Sequence, residues 1–279
     1  MTGMHIAISG RLGSGKSTVC KILADKYGFD IYSTGKIQRG IAEEMGITTL
    51  ELNKMMVGDN QLDNIIDSAV AEISEKTTDK AIIFDSRMAF KFAKNAFTVY
   101  VYADMTVAAR RVMGDSRGSV EKYESVEDAK AKLLARSLEE NRRYKELYHV
   151  NNFDYQNYDL IVDSTYVSAE YLAEVIYSCY KSFEGKNGTK MLLSPYSVYP
   201  TVAVCDADGG SGIGVVQHGG YNFALSGHRL LLEAIKGDEA LTECYISDAA
   251  LPESLDRSIL ADYEQSGELR YTDTPDIYK

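Results

Sequence analysis

The chain has 279 residues, 45% of them hydrophobic and 25% charged, with a formal net charge of −11. No apolar run approaches the roughly 20 residues needed to span a bilayer, and no basic-then-apolar leader opens the chain, so a soluble, cytoplasmic protein with no membrane partner is expected. The charge is uneven: from Met191 onward five Lys and Arg stand against fourteen Asp and Glu, while the first 190 residues carry 25 against 27. An acidic surface repels a phosphate backbone, which argues against duplex nucleic acid as a partner.

The first part alternates short apolar runs with helical periodicity. His5–Ser9 reads as a buried strand, followed by a helix with Val19, Ile22 and Leu23 on one face and Gly28 as its stop. Phe29–Ser33 is a second strand. "GKIQRGIAEEMG" and "TTLELNKMM" read as two short helices, and "NQLDNIIDSAVAEISEK" as a longer one. Strands follow at Lys80–Ser86 and Phe97–Asp104, then a helix over Val107–Met113, a polar stretch, and a long helix from Val126 to Tyr148. Tyr158–Thr165 is the last strand of this part, closed by a helix that Ser168 caps. Strands alternating with helices predict an α/β fold, a parallel sheet covered on both faces.

Residues 184–190, "EGKNGTK", are polar and aperiodic and read as a linker. Beyond them, residues 191–279 predict a small acidic α+β domain of short strands and turns around the helix "HRLLLEAIKG", with a weakly patterned tail after Leu251. The cysteines at 20, 179, 205 and 244 are scattered without C-x-x-C spacing, and neither they nor the four histidines suggest a metal site or a disulfide framework.

The chemistry is announced early. "GRLGSGKS" fits G-x-x-x-x-G-K-[ST] at Gly10, Gly15, Lys16 and Ser17, between a predicted strand and a predicted helix. Glycines let successive N–H groups turn toward phosphate oxygens, and the helix N-terminus adds partial positive charge. Gly10, Gly13, Ser14, Gly15, Lys16, Ser17 and Thr18 therefore form the expected ATP site, with Lys16 on the β/γ-phosphates and Ser17 on Mg²⁺. No N-K-x-D base reader follows, because Asn53–Lys54 continues "MM", and this excludes a GTPase. A P-loop phosphotransferase with a mobile lid remains.

The ordered stretches "ISGRLGSGKSTVCKILADKYG", "STGKIQRGIAEEMGI", "AIIFDSRMA", "AARRVMGDSRG" and "ARSLEENRRYKELYHV…YDLIVDST" resemble the cytidylate-kinase-like nucleoside monophosphate kinases, over residues 1–183. That resemblance implies a P-loop NTPase three-layer α/β/α domain with a helical lid. It also implies roles by position. Arg39 and Arg87 would hold the acceptor monophosphate, with Ser33 near the nucleoside, and Asp85 would support Mg²⁺ through water. The family has Gly where this chain has Ser86. Transfer spreads negative charge over donor, moving group and acceptor, which guanidinium forks stabilise. Arg111 and Arg117 flank the polar, Gly-containing loop as lid residues, and Arg136 and Arg143, seven apart, share one helix face. The alternative for these arginines is a solvated surface paired with Glu139, Glu140 and Glu146, and Arg142, which points elsewhere, is expected to take it. Asp63 and Asp67 lie where the family has acidic residues near the base, although a solvent-facing role fits them equally. The eight tyrosines from Tyr144 to Tyr180 are expected to pack at the helix–sheet seam.

Gly219–Ser247 resembles the ParB-like/sulfiredoxin-like fold, carried by Gly227, His228, Arg229 and Ala234. The resemblance implies a phosphate at that helix N-terminus, held by Gly227, His228 and Arg229. Gly227 stands where sulfiredoxins have a reactive Cys, so that chemistry is not expected. A structural appendage to the kinase is the alternative. For the whole chain the reading is ATP-dependent phosphoryl transfer to a small phosphate acceptor such as CMP or dCMP. A nucleotide-sensing regulatory protein, or a kinase of another small molecule, stands as the alternative. Monomer and homo-oligomer are equally open.

Overall fold

The computed structural model describes residues 3–47, 51–52, 55, 61–114 and 123–279, with the side chains of residues 39 and 61–63 outside the description. Of the predicted helix "TTLELNKMM", residues 51, 52 and 55 are helical and the rest lie outside the described residues, as do residues 115–122 with Arg117. No helix among the described residues is long and apolar enough to cross a membrane.

Strand β1 (His5–Gly10) is buried along its whole length, as an apolar run between two helical layers must be. It pairs in parallel with β3 (Ile82–Asp85) on one side and β4 (Ala96–Tyr102) on the other. Strand β2 (Asp30–Ser33) adds beyond β3, and β5 (Leu160–Asp163) beyond β4, both parallel. Helices α1 (Lys16–Tyr27) and α7 (Ala169–Lys181) pack together on one face of this sheet, closing a core of Val19, Leu23, Val99, Val162, Leu172 and Ile176. The other face is covered by α3 (Gln61–Lys76) and the single turn α4 (Ala89–Phe92), around Val70, Phe84 and Ala89. Helix α2 (Thr34–Glu44) leaves the end of β2. Helices α5 (Met105–Gly114) and α6 (Val126–Tyr148) pack as a pair through Ala108, Val112, Ala129 and Leu133. The predicted three-layer α/β architecture is present. Strand ends move by one or two residues: β4 stops at Tyr102 rather than Asp104.

The second part differs more from its expectation. Of the expected linker 184–190, Lys190 already belongs to a strand, β6 (Lys190–Leu193), which pairs in parallel with β5. The sheet then runs on through β10 (Thr242–Ile246), β8 (Ile213–His218), β9 (Tyr221–Ser226) and β7 (Val198–Tyr199), giving, among the described residues, ten strands in the order β2-β3-β1-β4-β5-β6-β10-β8-β9-β7. One core cluster takes Tyr100, Tyr102, Tyr155 and Tyr158 from the first part with Met191, Leu193, Phe223, Leu231 and Tyr263 from the second. Helix α8 (His228–Lys236) forms as its pattern dictates. The weakly patterned tail is not formless: it holds α9 (Ser258–Gly267) and buries Tyr263, Tyr271 and Tyr278. Of the eight tyrosines expected at the seam, Tyr144, Tyr155 and Tyr158 are buried, whereas Tyr166 and Tyr171 are exposed.

Candidate active site

The carboxyl ends of β1, β2, β3 and β5 converge on one cleft of about 460 Å³, the place where open α/β sheets bind ligands. Gly10 ends β1 with φ of +140°, and a Cβ there would fall 2.3 Å from the Val101 carbonyl oxygen of β4, so only glycine lets the loop leave the sheet this closely. Helix α1 starts from Gly15 with no side-chain cap, which leaves its N-terminal dipole open to an anion. Ser14 Oγ, buried in the loop that lines the cleft, has no hydrogen-bond partner among the described residues. The loop is thus shaped and polarised for phosphate oxygens.

Lys16 is half-buried, its Nζ donating to the Gly10 carbonyl at 3.1 Å and the Arg11 carbonyl at 2.9 Å. Burial, with the nearby Arg87 guanidinium, brings its ammonium pKa down to about 7. Ser17 Oγ donates to Asp85 Oδ2 at 2.9 Å and Ser33 Oγ to the same oxygen at 3.1 Å, uniting three predicted residues from α1, β2 and β3. Ser86, the departure from the family pattern, is buried, and its hydroxyl accepts weakly from the Met88 N–H at 3.4 Å. It is thereby turned toward its own backbone.

Opposite the loop stands a cluster of arginines around one acid. Glu140, 6% exposed, accepts from Arg87 Nε at Oε2 and from Arg136 Nε at Oε1, both at 3.0 Å. Burial alone would raise its carboxyl pKa, but the charges of Arg87, Arg136 and Arg143 outweigh burial and hold it at about 2. Arg87 also donates to the Gly10 carbonyl, linking this cluster to the P-loop. Arg143, 3% exposed, lies over the Tyr144 ring at 5.3 Å and lines the cleft. Arg111 lines it from α5, donating to Ser164 Oγ at 3.0 Å and the Ser164 carbonyl at 2.6 Å. Arg142 faces outward between Glu139 and Glu146, as its position on the helix implied.

The cleft therefore gathers Gly13, Ser14, Gly15, Lys16, Ser17, Thr18, Ser33, Asp85, Arg87, Arg111, Arg136 and Arg143. Arg39 is on α2 with its side chain undescribed, Arg117 lies outside the described residues, and so does the side chain of Asp63. Asp67 is buried rather than solvent-facing: it lines the cleft and accepts from Tyr148 Oη at 2.6 Å. Sequence reasoning gave Glu140 only as a surface partner of the arginines. Its placement three and four residues from Arg143 and Arg136 was the available signal for a shared face.

The predicted C-terminal phosphate site does not form as expected. The Asp208 carboxylate accepts from the Gly227 N–H at 2.9 Å and the His228 N–H at 3.0 Å, so an internal anion already sits on the N-terminus of α8. His228 is buried, its ring against Thr201, the Ala224 carbonyl and Asp208, and Arg229 donates to the Ala207 carbonyl at 3.3 Å.

The sequence is similar to those of known proteins. It is 34% identical over 162 residues to a cytidylate kinase of Methanococcoides burtonii, covering 58% of this chain and 88% of that one. A cytidylate kinase of Natronomonas pharaonis is 34% identical over 182 residues, covering 64% and 91%. A solved shikimate kinase from Bacteroides thetaiotaomicron superposes with a TM-score of 0.44 at 15% identity, covering 64% of this chain and 98% of its own. The model of the cytidylate kinase-like family matches residues 5–166. That span holds the P-loop, Asp85 and every arginine of the cleft, and the chain is a P-loop phosphotransferase that belongs to the cytidylate kinase-like family.

Proposed function

We propose that the protein transfers the γ-phosphoryl group of ATP to a nucleoside monophosphate, with CMP or dCMP as the acceptor. The observation that carries this reading is the cleft itself: a phosphate loop on one wall and Arg87, Arg136 and Arg143 on the other. Such an arrangement can neutralise donor and acceptor phosphates together.

ATP binds with its polyphosphate on Gly13–Thr18, and Lys16 exchanges the carbonyls of Gly10 and Arg11 for phosphate oxygens. Ser17 Oγ and Asp85 form a pair of hard oxygen donors that would hold Mg²⁺, which would supply charge neutralisation to the phosphates when bound. The acceptor phosphate lies between Arg87 and the α2 segment carrying Arg39. Its nucleoside extends toward Ser33, Gln38, Ile66, Asp67 and Tyr144, which line the same cleft. Arg111, fixed to the end of β5, meets the moving phosphoryl group as water leaves the cleft, and Arg117, outside the described residues, is the further arginine that the family resemblance implies for this step. Charge stabilisation and alignment do the work; no covalent intermediate with the protein is needed.

In the second part no phosphate ligand is proposed, because the Asp208 carboxylate occupies the N-terminus of α8.

The test is ADP release coupled to a reporter, with Mg·ATP and CMP, dCMP, UMP, AMP or no acceptor, beside Lys16→Ala. CMP- or dCMP-dependent turnover lost in the variant is expected. Equal, slow ADP release with every acceptor and with none would refute the kinase reading. Turnover with AMP or UMP alone would refute the cytidine assignment.

A further inference from the structure

The residues beyond the family match are tied to the phosphate loop by one side chain. Arg11, the second residue of the P-loop motif, is only 8% exposed and points away from the cleft. Its Nη1 donates to the Ala103 carbonyl at 2.9 Å, its guanidinium lies 4.7 Å from the Tyr102 ring centre, and its Nη2 donates to the Gly220 carbonyl at 2.5 Å. Gly220 belongs to the Gly219–Gly220 turn of the β8–β9 hairpin, and its carbonyl also accepts from Tyr102 Oη at 3.4 Å. The backbone of Arg11 faces the active site: its carbonyl accepts from Lys16 Nζ at 2.9 Å and from the Ser14 N–H at 3.2 Å. Two links therefore connect the turn to the phosphate-binding lysine.

We infer that Arg11 is a positioning residue for the donor nucleotide, and that the Gly219–Gly220 turn of the C-terminal part sets the P-loop through it. A buried guanidinium has to keep acceptors for its donors. If Gly220 withdraws or crowds it, the group shifts, and the Arg11 carbonyl on which Lys16 and Ser14 rest shifts with it. The same C-terminal part also holds α5 and α6: Asp273 accepts from Thr106 Oγ1 of α5 at 2.8 Å and pairs with Lys130 of α6.

Gly220 has φ of +89°, and an added Cβ would stand 3.0 Å from Arg11 Nη2; Gly219 has φ of +58°, and an added Cβ would meet nothing within 4 Å. Ala at either position carries left-handed strain, but only Gly220→Ala presses on Arg11. The inference rests on the proposed use of ATP as donor, so the primary readout is the Kd of a non-hydrolysable ATP analogue with Mg²⁺, which needs no turnover. Gly220→Ala is expected to raise that Kd about tenfold and Gly219→Ala to leave it unchanged. The rise should be absent when Gly220→Ala is added to Arg11→Met, and the acceptor KM should stay unchanged. If Gly220→Ala does not fold, Arg11→Lys, whose ammonium cannot reach both carbonyls, is read in its place, with the same rise expected. Wild-type Kd in the variant read, or equal rises at Gly219 and Gly220, overturns the inference. Analogue binding that responds to Gly220→Ala without acceptor-dependent turnover in the wild type would sink the kinase proposal and leave this one standing.

Discussion

Lys16 makes a quantitative prediction about protons. Burial and the Arg87 charge hold its pKa at about 7 in the nucleotide-free cleft. A polyphosphate on the loop supplies several negative charges and restores the full ammonium. At pH 8 a group of that pKa carries about a tenth of a proton, so Mg·ATP binding should take up about 0.9 proton there, about 0.5 at pH 7 and about 0.1 at pH 6. Affinity should then fall about fivefold from pH 7 to pH 8 and about ninefold from pH 8 to pH 9. The assay is titration calorimetry of a non-hydrolysable ATP analogue with Mg²⁺ at pH 8 in two buffers of different ionisation enthalpy. The nucleotide phosphate, with a second pKa of about 6, adds little at that pH. The apparent enthalpy should differ between buffers in wild type and agree in Lys16→Met. Equal enthalpies in wild type at pH 8 would refute the reasoning. The sign for stability is the opposite of affinity. The unfolded chain holds this proton up to the ordinary 10.5 and the folded chain releases it near 7, so this group makes the nucleotide-free protein more stable as pH rises between them.

Glu140→Ala leaves the guanidiniums of Arg87 and Arg136 without their shared carboxylate, and should destabilise by about 3–5 kcal/mol, read as the denaturation midpoint. Because that carboxyl sits at about 2 against an ordinary 4.5, its stabilising contribution is present above 4.5 and disappears as pH falls through 2, which an acid titration of wild type against Glu140→Gln should register. Tyr148→Phe removes the hydroxyl donated to Asp67 at 2.6 Å and should raise the acceptor KM severalfold while leaving the ATP KM unchanged; an unchanged acceptor KM would remove Asp67 from that subsite. Asp208→Ala strips the carboxylate from the α8 N-terminus and should cost about 1–2 kcal/mol in chemical denaturation.

Much of the kinase part was legible because its signals are local. A strand, a glycine loop and a helix start at fixed spacing dictate a phosphate seat whatever surrounds them, and the Arg136–Arg143 spacing places both on one face of a single helix. The side of Asp67 was not legible: a helix pattern marks a face but not whether a later helix, here α6 with Tyr148, comes to cover it. The tail after Leu251 is short of periodic apolar residues because its burial rests on three tyrosines 7 to 15 residues apart, which fill a core shared with β4 and β5.

The sequence by itself determined the class of chemistry, the order of the elements and the nucleotide loop, since each depends on residues within one turn or one strand of each other. Only the tertiary structure decided that β6 extends the parallel sheet into the C-terminal part, that Asp208 fills the phosphate seat of α8, and that Gly220 reaches Arg11. Those contacts join residues 19 to 209 positions apart, each with a backbone carbonyl or N–H group on at least one side. No side-chain pattern in the sequence encodes them.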